Sequence, residues 1–270
     1  MERSTTASGL FCGTRMTSSA VTVVFIHGAM DRGSAFLRCA RRLSDVSWVV
    51  YDRRGYGRSL RGELPTFDTH RDDLVEILES ERNRSTGSLV VVGHSVGGTI
   101  ALATAAARPD LVDSLVVYEC PISWLPWSPA QWAAGRDGQN EAPEVTAERF
   151  MRSLIGDAGW EALPAATRTQ RLGEGLVLQS EFVSASAPPL FQLVDITCPV
   201  VLGRSSDAPD HRIATTAHLE AGLARSELML IEDAPHGAHS SRPDDFALLV
   251  NRSCELVRLD HRRTIEPRHL

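Results

Sequence analysis

The 270-residue chain contains no lysine; its basic side chains are 28 arginines and nine histidines, set against 34 acidic residues for a net charge of −6. The missing lysine marks GC-rich coding rather than a function. The arginines are scattered, with no stripe or block that could track phosphates, so nucleic acid is not an expected partner. Cysteine is also scarce. Cys12, Cys39, Cys120, Cys198 and Cys254 are odd in number, widely spaced and without a C-x-x-C pair. That pattern builds neither a disulfide framework nor a zinc site and fits a reducing compartment. The first twenty residues lack an apolar leader core, and no apolar run is long enough to span a bilayer. The expectation is a soluble, cytoplasmic protein without a membrane partner.

What is present is an α/β rhythm. Residues 89–98 read Leu-Val-Val-Val-Gly-His-Ser-Val-Gly-Gly. The apolar, β-branched start suits a strand buried on both faces of a parallel sheet. It crosses a G-x-S-x-G pattern, Gly93 to Gly97, and enters an alanine-rich helical stretch over 99–108 that Pro109 ends. Strand, tight turn and helix in that order are the context of a nucleophile elbow, which raises the Ser95 hydroxyl clear of the sheet edge. Further strands are expected at 20–26, 47–51, 114–118, 198–202 and 227–231, with only a hint of one at 10–12. Helices are expected at 34–43, 69–81, 213–223 and from Pro243 to about residue 259, before a frayed polar tail over 260–270.

The texture changes between residues 121 and 189. That quarter of the chain holds Trp124, Trp127, Trp132 and Trp160, several prolines and helical patches at 146–155 and 167–181, but no strand of the earlier type. A helical excursion of this kind reads as a lid over an active-site mouth. The expected organisation is a core over 1–120, a helical cap over 121–190 and the rest of the core over 191–270. Trp124 and Trp127 are candidates for contact with substrate.

In these motifs the sequence resembles the α/β-hydrolase superfamily from about Val21 to Val257. His27-Gly28 follows a strand where that family keeps its oxyanion loop. Residues 52–59, Asp-Arg-Arg-Gly-Tyr-Gly-Arg-Ser, look like its D-x-R-G-x-G-x-S loop. His236 follows the last strand, where the family places its catalytic histidine. The resemblance implies the α/β-hydrolase fold, a mostly parallel sheet flanked by helices, and a serine hydrolase needing no cofactor or metal. Ser95 would be the nucleophile and His236 its base. The oxyanion donors would be the backbone N–H groups of Val96 and Ala29, with Met30 as the neighbour that could substitute.

The acid departs from the family pattern. The position that commonly holds it, three residues after Gly203, is Ser206. Asp207 lies one residue further on. Glu119, at the end of the 114–118 strand, is the rival, and the reading leans to it because a carboxylate there faces the crevice. The arginines of 53–58 are read as holding their turn, His94 as a packing residue of the elbow, Cys120 as a buried free thiol and His239 as support for the histidine loop. The H-x-x-H spacing of His236 and His239 lacks a third ligand and is not read as a metal site. The expected substrate is a small to medium hydrophobic carboxylic ester, lactone or thioester. An acyltransferase, cyclase or C–C lyase on the same residues, or a non-catalytic binding member of the fold, are the alternatives.

Overall fold

Six apolar runs become the parallel body of one eight-stranded sheet in the computed structural model of the chain, which describes residues 1–59, 62–128, 141–185 and 189–265. The strands are β1 (Glu2–Thr5), β2 (Phe11–Arg15), β3 (Val21–Ile26), β4 (Ser47–Tyr51), β5 (Ser88–His94), β6 (Ser114–Tyr118), β7 (Val200–Ser205) and β8 (Ser226–Ile231). Their order is β1-β2-β4-β3-β5-β6-β7-β8. Only β1 and β2 run antiparallel to their neighbours. β3 to β6 are buried at every position, which is why their sequences are near-continuous Val, Ile and Leu rather than alternating.

Helices cover both faces. Those flanking the sheet are α1 (Leu37–Ala40), α2 (Phe67–Arg84), α3 (Val96–Ala107), α7 (Asp210–Gly222), α8 (Ala238–Ser241) and α9 (Pro243–Ile265). One core packs α3 and α2 beneath the sheet through Ile100, Leu102, Leu74 and Leu78. The other packs α9 over it through Phe246, Leu249, Val250 and Val257, against Phe25 and Val116. α2 begins earlier than its apolar spacing indicates, at Phe67, because Thr66 and Thr69 cap each other reciprocally at its start.

Two terminal expectations change. The start of the chain forms a β1–β2 hairpin rather than a bare hint of strand. The last helix runs on through Asp260 to Ile265, where a frayed tail was expected; residues 266–270 lie outside the described residues.

Between β6 and β7 the described residues hold no strand. They form α4 (Pro143–Ala162), α5 (Ala165–Leu172), α6 (Gly175–Ala185) and a single 3-10 turn, Leu193–Asp195. α4 is broken at Gly156, whose φ of 72° only glycine adopts freely. Trp160 is buried there, whereas Trp132 lies outside the described residues. α6 is fastened to the core by carboxylates. Glu181, fully buried, pairs with Arg53 and accepts from Tyr56 Oη at 2.9 Å, with His70 Nε2 at 3.0 Å. Glu174, just ahead of α6, pairs with Arg32 and accepts the Gly57 N–H at 3.3 Å.

Candidate active site

Ser95 sits between β5 and α3 with φ 53° and ψ −129°, a left-handed conformation that costs a non-glycine residue backbone strain. Two glycines make the turn possible. A Cβ on Gly93 would lie 2.4 Å from the Gly97 carbonyl oxygen, and one on Gly97 would lie 2.3 Å from that of Ile26. The bend is pinned by Ser95 N–H donating to Tyr118 O (2.9 Å) and Gly98 N–H donating to Ser95 O (2.7 Å). Val96 opens α3, so its N–H has no acceptor within the helix.

The loop after β3 faces this turn. The Gly28 carbonyl accepts His27 Nδ1–H at 2.7 Å and Arg53 Nη2–H at 3.0 Å, while Arg53 Nε donates to His27 O at 3.0 Å. In a planar trans peptide, fixing the Gly28 carbonyl toward Arg53 turns the Ala29 N–H the opposite way. Arg53, fully buried, thus orients the loop from behind, more than holding its own turn as the sequence suggested. Met30 follows with φ 56°.

His236 lies in the loop after β8, and its Nδ1 donates to Glu119 Oε2 at 2.7 Å. Glu119 leaves the end of β6 with φ 46° and a side chain fully shielded from solvent. Its Oε1 accepts the Ser205 N–H at 3.0 Å, and its Oε2 also accepts Arg212 Nη1 at 2.8 Å. Burial alone would raise the Glu119 carboxyl, but these donors outweigh it and hold the group below the usual carboxylate range. Burial pushes the His236 imidazole below its ordinary value, against the opposing pull of Glu119, and the Arg212 charge pushes the same way. The imidazole is therefore neutral at pH 7, with Nδ1 protonated and Nε2 free to accept a proton.

Asp207 is elsewhere. It is exposed and accepts from Ser205 Oγ. Ser206, at the position where the acid was first sought, accepts the Asp233 N–H at 3.0 Å. The β7 loop thus supplies a backbone donor to Glu119 rather than a carboxylate to His236.

Ser95, His236 and Glu119 line a cavity of about 350 Å³ together with Ala29 and Met30. Its apolar side comes from Ile122 after β6 and from Phe150, Met151, Leu154 and Leu163 between β6 and β7. Trp124 and Trp127 are not among the residues lining it. Trp124 packs edge-on to Phe191 at 5.2 Å, and Trp127 Nε1 donates to Thr215 Oγ1 at 3.1 Å. Cys120 lines the cavity as a thiol that burial pushes up to about 12.

His94 Nε2–H donates to the His236 carbonyl at 2.8 Å, so the residue beside Ser95 also steadies the histidine loop. His239 Nε2 meets Asp31 Oδ2 at 3.1 Å. Asp31, His94 and His239 have donor atoms within 4.8 Å of one another. They could share a metal ion only by giving up the His239–Asp31 hydrogen bond. Arg212, Asp31 and Arg171, all on the cavity wall, were not singled out in the sequence, since no local motif marks a residue whose partner is distant along the chain.

Residues 23–248 match the alpha/beta hydrolase family. A lipase, LipV of Mycobacterium tuberculosis, is 37% identical over 102 residues, a stretch covering 38% of each chain. The sn-1-specific diacylglycerol lipase ABHD11 of Danio rerio is 25% identical over 83% of this chain and 75% of its own. Among solved structures, an esterase from Thermogutta terrifontis superposes with a TM-score of 0.72 at 20% identity, covering 95% of this chain and 99% of that one. No helix among the described residues is long and apolar enough to cross a membrane.

Proposed function

Since the chain belongs to the alpha/beta hydrolase family and is a hydrolase, we propose that it cleaves small to medium hydrophobic carboxylic esters, lactones or thioesters through an acyl-enzyme on Ser95. The observation that carries this reading is the 2.7 Å His236–Glu119 hydrogen bond at the cavity that Ser95 also lines. In the proposed cycle His236 Nε2 takes the Ser95 proton as Oγ attacks the acyl carbon, and then delivers it to the leaving group. Glu119 holds the imidazole in the Nδ1–H tautomer and stabilises the imidazolium that forms. The Val96 and Ala29 N–H groups receive the developing oxyanion. Water enters by the same base and releases the acid. The segment over residues 121–190 acts as the cap, giving the acyl chain its apolar wall while the core supplies the chemistry.

The test is a fluorophosphonate probe with a chain-length series of p-nitrophenyl esters and aryl thioesters. Wild type takes one label at Ser95 and turns over the esters, while Ser95→Ala does neither. An unlabelled wild type that leaves every ester intact removes the hydrolytic reading of this site. Product partition in the presence of added alcohols separates water from another acyl acceptor.

A further inference from the structure

Among the described arginines lining the cavity, Arg171 is the one without a hydrogen-bonded anion. Arg212 is held by Glu119 at 2.8 Å. Arg171, at the C-terminal end of α5, has Nη1 buried with no hydrogen-bond partner. Its nearest carboxylate oxygen, Glu174 Oε2, is 3.7 Å away, too far for a hydrogen bond. Arg32 and the Gly57 N–H both take Glu174 Oε1 and Arg171 faces Oε2, so two guanidinium groups share one carboxylate. Only 16% of the Arg171 side chain is exposed, and burial followed by the neighbouring Arg32 lowers its proton affinity. A shielded guanidinium with open donors carries a desolvation cost that a ligand anion would offset. α5 is a largely exposed helix whose apolar contact with the core comes from Leu172. Thr167, one turn before Arg171 on the same helix, lines the cavity with it. The other acid on that side, Asp31, already accepts from His239.

We propose that Arg171 is a specificity residue that receives a carboxylate carried by the substrate, so that the preferred substrates are acyl compounds with an apolar chain and a free acid. The inference relies on the Ser95 reading for where the scissile bond sits, whereas capture of the anion does not depend on catalysis.

The test compares mono(4-nitrophenyl) adipate with its neutral methyl ester, in which an uncharged methoxycarbonyl group replaces the terminal carboxylate. Wild type favours the acid in kcat/KM. Arg171→Met lowers the acid-to-neutral ratio about 10- to 100-fold, the range of a charge-assisted hydrogen bond, and Arg171→Lys lowers it less because the charge remains while the fork is lost. A purely structural Arg171, bracing α5 against Glu174, would lower both esters together and leave the ratio fixed. That outcome, or a wild type that prefers the neutral ester, overturns the proposal. Calorimetric titration of monomethyl adipate into Ser95→Ala, with and without Arg171→Met, reads the anion separately. Arg171-dependent binding there supports the subsite even if neither ester is hydrolysed, in which case the hydrolytic reading alone has failed. Binding indifferent to Arg171, or no binding, overturns the subsite.

Discussion

Glu119 answers to three donors at once: the His236 imidazole, the Arg212 guanidinium and the Ser205 N–H. A neutral amide in its place would keep the shape and lose the preference for the Nδ1–H tautomer. Glu119→Gln is therefore expected to lower kcat about 10³- to 10⁴-fold, and Asp207→Asn to stay within a few-fold of wild type. Equal losses in the two variants would show that the acid has been misassigned. Arg212 adds a second effect. Its charge lowers the His236 value and competes for Glu119 Oε2, so Arg212→Met leaves the imidazole easier to protonate. The acid limb of the kcat/KM–pH profile is expected to move to higher pH; an unmoved limb would show that Arg212 leaves the base alone. The sequence made Ser95 and His236 legible because each closes a strand with a recognisable spacing. It narrowed the acid to two residues and could go no further, because Glu119 and Asp207 both follow strands and only packing decides which one His236 meets. Trp124 and Trp127, the sequence's candidates for substrate contact, pack instead against Phe191 and Thr215, partners distant along the chain that no local pattern marks.

At the scale of elements, every strand from β3 to β8 could be read from its apolar run, whereas the β1–β2 hairpin could not. β1 reads Glu-Arg-Ser-Thr and is exposed throughout, so it carries no hydrophobic pattern and exists by pairing with β2. The docking of α6 was equally hidden. It depends on Glu181 meeting Arg53, 128 residues away in sequence. Burial alone would raise the Glu181 carboxyl, but Arg53 and His70 hold it down to about 2. A depressed carboxyl contributes stability that is complete above its unfolded value and is lost as pH falls toward the folded one. Glu181→Gln strands Arg53 without its anion and is expected to cost about 3–5 kcal/mol at pH 7, with a smaller penalty at pH 3. Urea titrations at the two pH values measure this. Since Arg53 also orients the Gly28 carbonyl, the variant is expected to take the fluorophosphonate label more slowly even where it remains folded. Normal labelling in the folded variant would separate cap docking from the oxyanion loop.

For the molecule as a whole, the buried histidines set the response to acid. Burial lowers His27, His94, His70 and His236 below their ordinary value, and Arg53 adds to the effect at His27 and His70. A histidine kept neutral by the fold takes up its proton in the unfolded chain first. Its contribution to stability is thus complete above the unfolded value near 6.5 and declines below it, until the folded group is protonated as well. Each such residue contributes a slope of about 1.4 kcal/mol per pH unit across that interval. Glu119 and Glu181 add nothing to this slope, because both lie below the usual range and release their contribution only in stronger acid. Acid sensitivity should therefore arrive in two stages, the first beginning near pH 6.5 and the second below about pH 4.5. Denaturant unfolding at pH 7.5 and 5.5 is expected to differ by several kcal/mol. His70→Asn is expected to flatten part of the first stage, because it removes one of these protons outside the proposed catalytic groups. Stability that stays level between pH 7.5 and 5.5 would mean that the fold binds these protons as readily as the open chain, and that the histidines are not held neutral.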